Sequence, residues 1–141
     1  MFLSSLDLAN FYIFFLLSCF SKFPTLDQCK KDILLIVDTS YSITKSNFVN
    51  QIKPFLLGLA YSKILNVGQD GTHIALMLFS SKKKIDVKLG FSTGYTKATL
   101  NRTIVSLVWE EVMGDQTRTD LALKKATEVK KDGEAIHLNF T

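Results

Sequence analysis

Asp38-Thr39-Ser40-Tyr41-Ser42 follows directly on the apolar run Ile33-Leu34-Leu35-Ile36-Val37. One carboxylate and two hydroxyls alternate there, at the mouth of what reads as a buried strand. From alternate positions of one tight turn, they offer a compact set of hard oxygen donors. Such a set suits Mg²⁺, with Mn²⁺ or Ca²⁺ as substitutes, better than zinc or copper, which favour nitrogen and sulfur ligands. A second oxygen-rich patch, Thr117-Arg118-Thr119-Asp120, lies just before or at the start of the last helical pattern. A threonine there can add a ligand from a neighbouring loop. Each piece also has an ordinary reading, because serines and threonines at such places cap helices.

Other chemistries find little support. There is no C-x-x-C, no histidine cluster and no haem signature, and His73 and His137 lie in strand-like runs as structural residues. A haloacid-type phosphatase would want a second aspartate two residues after Asp38, where this chain has Ser40. No glycine-rich phosphate loop with a lysine and no hydrolase nucleophile elbow occurs. The expectation is therefore a binding protein, with no enzyme activity and no small-molecule substrate.

The surrounding elements must hold the donors in place. Ile33 to Val37 is continuously apolar, as a central parallel strand covered on both faces would be. Thr44 or Ser46 can cap a helix beginning near Asn47, with Phe48, Ile52, Phe55 or Leu56, and Leu59 on its buried face. Pro54 should kink it, and the spacing predicts a bent helix running to about Lys63. Asn66 to Gly71 is a turn cluster, and Thr72 to Ser80 reads as a strand. Lys82-Lys83-Lys84 turns the chain into Ile85-Asp86-Val87-Lys88-Leu89, whose alternation fits an edge strand with one wet face. Lys97 to Val108 predicts a second helix, Glu110 to Asp115 a loop, and Thr117 to Lys131 a third helix ended by Gly133. Ala135 to Phe140 is apolar enough to begin another strand. The order argues for an α/β fold: a three-layer, open, mostly parallel sheet with one antiparallel edge strand.

The chain has 141 residues, a formal net charge of +4 and 47% hydrophobic residues, which suits one domain with a real core. The lysine run at 82–84 reads most simply as a solvated turn. No aromatic platform accompanies it, so nucleic-acid binding is not expected. Phe11 to Leu17, followed by Ser18-Cys19-Phe20-Ser21, resembles a signal peptide, too short to span a bilayer. We read 1–21 as a signal peptide, 22–31 as a lead-in and 32–141 as the domain. An uncleaved anchor and a cytosolic start are the alternatives. Secretion would leave Cys29 without Cys19 and would make Asn101-Arg102-Thr103 and Asn139-Phe140-Thr141 glycosylation sequons.

The spacing Asp38-x-Ser40-x-Ser42, with Ile33 to Val37 before it and Ile43 and Phe48 after it, resembles the metal-ion-dependent adhesion site of the von Willebrand factor type A domain, also called the integrin I-like domain. Thr117-x-Thr119 with Leu121-Ala122-Leu123 is similar to the family's later threonine segment. Gly71 to Phe79 looks like its second strand and 85–89 like its antiparallel edge. The resemblance covers roughly 29–140. It implies a vWA or Rossmann-like fold, incomplete at the C-terminus, in an extracellular adhesion module. It also implies Mg²⁺ held by Asp38, Ser40, Ser42 and Thr117, with Thr119 a weaker candidate. An open coordination position would accept a carboxylate from a matrix or cell-surface protein. The family's further aspartate, after a fourth strand, has no counterpart here, because Asp132-Gly133 precedes the expected strand. With one carboxylate in the set, weak metal binding is expected. Cys29 resembles the cysteine that many extracellular members place before the first strand and pair with one after the last helix. The competing account is a truncated structural or interaction fragment with no working metal site.

Overall fold

Strand β3 (Lys30–Asp38) forms the centre of the sheet because its apolar run has a packed layer to meet on each face. The computed structural model describes residues 2–7, 12–20, 30–93, 96–131 and 134–135, with side chains over 32–93 and 96–129. Five strands pair in chain order: β1 (Phe2–Asp7), β2 (Tyr12–Phe20), β3, β4 (His73–Phe79) and β5 (Ile85–Leu89). β3 and β4 are parallel, with Asp32 opposite His73 and Asp38 opposite Phe79. β5 returns antiparallel to β4 as the expected edge, with a register shift between Leu76 and Met77. On the other side β2 pairs antiparallel with β3, and β1 with β2. These two strands fall within the segment read as a signal peptide. They join the parallel β3–β4 pair and the β5 edge in a mixed sheet.

Side chains on a strand alternate between faces, so the run of apolar residues feeds two cores. Ile33, Leu35 and Val37 join Ile74, Leu76 and Leu78 on one face. Leu34 and Ile36 join Ala75, Met77 and Phe79 on the other. The first face is covered by the helical segment after β3, by α3 (Lys97–Ser106) and by α4 (Trp109–Val112). The second is covered by α5 (Thr119–Ala126), through Ala122 and Ala126. Three layers result, as the patterning predicts.

Pro54 shapes the first helical segment differently from a simple kink. The chain forms a short α1 (Lys45–Asn47), a π-helical turn (Phe48–Ile52), and then α2 (Lys53–Ala60) with the proline in its first turn. Lys53 N–H donates to the Phe48 carbonyl, five residues back. The wider turn places the proline where its missing N–H costs least. α2 ends at Ala60, short of Lys63. Thr44, of the two candidates, is the cap, accepting from Asn47 N–H at 3.3 Å.

Two further expectations are corrected. Residues 110–115 are not all loop, because Trp109 and Val112 bury one face of α4 and Trp109 packs against Phe48 at 5.3 Å between ring centroids. The last helix ends at Ala126, not Lys131, and Lys130–Lys131 pairs antiparallel with Glu134–Ala135, as β6 and β7. The strand expected at 135–140 lies, beyond Ala135, outside the described residues.

Candidate functional site

The carboxyl ends of β3 and β4 carry the site, held by a set of short main-chain bonds. Thr39 N–H donates to the Phe79 carbonyl at 2.8 Å. The buried Thr39 hydroxyl lies 3.1 Å from that carbonyl and 3.0 Å from Val112 O, which ties the loop to α4. Tyr41 N–H donates to Gly114 O at 2.7 Å and Gly114 N–H to Thr39 O at 3.2 Å. Arg118 N–H donates to Ser80 O at 2.8 Å, which brings the 114–118 segment over the end of β4. Three stretches far apart in sequence therefore meet at one end of the sheet.

Within that frame Asp38, Ser40 and Ser42 are together. Asp38 and Ser40 are 3% and 2% exposed, and Ser42 is exposed. Asp38 Oδ1 accepts from Ser40 N–H at 2.7 Å. The Ser40 and Ser42 hydroxyl oxygens lie 3.1 Å apart, linking the buried end of the loop to its solvent side. By alternation from Leu34 and Ile36, Asp38 faces the layer that holds α5. Burial pushes the Asp38 carboxyl above its ordinary value, against the smaller opposing effect of its bonds to Ser40. Thr117 is exposed in the loop entering α5, and Thr119 is half-buried as the first residue of that helix.

The loop also carries backbone strain. Thr44 has φ 65° and ψ 150°, a region favouring glycine, and the adjacent Tyr41–Ile43 forms a single 3₁₀ turn. Such strain persists only where surrounding structure imposes it. Lys45 pairs with Glu110 across the front of the loop at 2.5 Å, and this contact holds Glu110 below its usual range. Arg118 makes a bidentate contact with Asp120, at 2.9 and 2.6 Å, that brings the Asp120 carboxyl down to about 2.

The donor types fit a hard cation, with one carboxylate and two apposed hydroxyls, and Thr117 at the same end of the sheet. The charge is small. Among the described residues, no group of three or more His, Cys, Asp or Glu side chains gathers to hold a metal. His73 is structural, its ring set 3.4 Å from Asp32 and 3.1 Å from Gln69 O at the opposite end of β4. Cys29, His137 and the Asn139 sequon lie outside the described residues. Asn101 sits within α3 and is half-buried. Sequence reasoning passed over Gly114 and Ser80, which set the height of the loop. A glycine between Met113 and Asp115 was the available signal.

The family model for the von Willebrand factor type A domain matches residues 32–136, most of the chain, and this protein belongs to that family. No curated protein matches it. Its family is one of adhesion and protein-interaction modules rather than catalysts, some of which use divalent cations.

Proposed function

We propose that the chain is a protein-interaction module whose partner-facing surface is the loop cluster at the ends of β3 and β4, and that its binding does not depend on a tightly held metal. The observation that carries this reading is the charge at the site. Asp38 is the carboxylate of its trio, it is buried, and no acidic cluster accompanies it among the described residues. Mg²⁺ gives up its waters reluctantly, so one buried carboxylate with hydroxyls should hold it weakly. The partner would be a matrix or cell-surface protein and the setting extracellular, on the reading of 1–21 as a signal peptide.

The apposed hydroxyls of Ser40 and Ser42 favour a second reading. In it Asp38, Ser40, Ser42 and Thr117 would hold Mg²⁺, or Mn²⁺ or Ca²⁺, which would supply a positive site for a carboxylate of the partner. Titrating Mg²⁺ into the ¹⁵N-labelled full chain separates the two. Amide spectra unmoved at millimolar Mg²⁺ are expected from the first reading. Saturable shifts at 38–42 and 117, absent from an Asp38→Ala variant that keeps dispersed peaks, would replace it with the second.

A further inference from the structure

We propose that the β4–β5 hairpin and α5 together form a docking track for a linear sulfated polysaccharide. Two hollows, of about 310 and 260 Å³, flank β5, the first beside Val112 of α4 and the second beside Leu121 of α5, and both have Ile85 in their walls, so the track runs over the β5 edge. Lys83, Lys84 and Lys88 line the first. Lys82 lines the second with Lys124 and Lys125, which arrive from α5 some forty residues later in the chain. Six lysines thus gather against three carboxylates, Asp86, Glu111 and Glu128. Two of those carboxylates are engaged locally: Asp86 pairs with Lys88 and Glu128 with Lys125, each at 2.6 Å. Lys84 is pinned by donating to Glu111 O at 2.5 Å. Among the described residues, Lys82, Lys83 and Lys124 make no ion pair, and all three are exposed.

The arrangement selects the ligand class. The uncommitted charges are spread over both hollows, Lys83 in the first and Lys82 with Lys124 in the second, rather than gathered about one point where a small anion would sit. A chain bearing regularly spaced anionic groups can engage both hollows. No arginine and no aromatic side chain lines either hollow, so the bidentate forks and stacking platforms that grip nucleic acids are missing from it. Lysines acting as flexible point charges match sulfate groups on a sugar backbone. The track starts at the turn just after Ser80, beside the candidate site, yet uses none of Asp38, Ser40, Ser42 or Thr117.

The test is binding of the full chain to immobilised heparin over a range of NaCl concentrations. The variant Lys82→Ser/Lys83→Ser/Lys124→Ser removes the three uncommitted charges. Lys63→Ser/Lys97→Ser/Arg102→Ser removes three exposed charges elsewhere. The first variant should lose roughly tenfold in affinity at physiological salt, and its log–log salt slope should fall by on the order of two units. The second should behave as the parent chain. Equal losses in both variants would reduce the effect to net charge and overturn the proposal. Equal affinity for single-stranded DNA of matched charge would also overturn it. Heparin binding unchanged by EDTA and by Asp38→Ala is expected, and keeps this result separate from the fate of the metal reading.

Discussion

Gly114 holds the candidate loop in place by having no side chain, and replacing it tests the whole construction of the site. A Cβ at 114 would lie well inside van der Waals contact of Ser80 Oγ, 3.0 Å from Ser80 Cβ and 3.2 Å from Ser81 N. The last of these is backbone and cannot swing aside. Overpacking of this kind costs about 1–3 kcal/mol. The displaced main chain would carry the bonds Tyr41 N–H to Gly114 O and Gly114 N–H to Thr39 O with it, so Gly114→Ala should also shift the 39–42 amides. Ser80→Ala has the opposite sign. The Ser80 hydroxyl is buried and makes no hydrogen bond among the described residues, so its removal should gain about 1 kcal/mol. Ser80→Gly removes both close side-chain atoms, and a cycle with Gly114→Ala should give a favourable coupling of about 1–2 kcal/mol. Urea unfolding of the four chains measures it, provided the m-value is constant. Additivity to within about 0.5 kcal/mol would mean that the two residues do not touch, and would refute the packing argument.

Three other outcomes follow from the same geometry. Thr44→Gly should raise stability by about 1 kcal/mol, because the relieved strain at φ 65° outweighs the small loss of replacing the capping side chain by glycine; a lower melting temperature would contradict this. Phe48→Ala should cost about 3–5 kcal/mol and move the emission of Trp109, its ring neighbour, to the red. Asp38→Asn should become increasingly more stable than the parent as pH rises. The folded carboxyl is raised, so the folded chain binds more protons than the unfolded one above pH 3.8, and parent stability falls as pH climbs from there through the folded value. A difference in urea midpoint that stays flat from pH 3 to 7 would show that burial of Asp38 is not costing the fold.

Much of the architecture was legible because it depends on local pattern. The apolar runs at 33–37 and 74–79 could be buried on both faces only in the middle of a layered sheet, and β3 and β4 lie there. The alternation of 85–89 marked an edge, and β5 is one. Pro54 announced a disturbance, although its form, a π-helical turn ahead of α2, depended on where the segment had to lie on the sheet. α4 was missed because a single turn has too few residues for a periodic signal. Only the burial of Trp109 and Val112 against the core makes it a helix. The apolar segment at 11–17 suits a leader and a strand equally well, since both need the same run of side chains.

By itself the sequence determined the type of donors, one acid and two alcohols in D-x-S-x-S spacing, and the strand that presents them. Tertiary structure alone decided their state. Burial of Asp38 and the staple through Gly114 and Arg118 come from contacts across some forty to seventy positions of chain, and they hold the turn in which Ser40 approaches Ser42. The gathering of Lys82 with Lys124 and Lys125 has the same origin. Spacing along the chain encodes which side chains share a face. Desolvation and long-range juxtaposition depend on which faces finally meet.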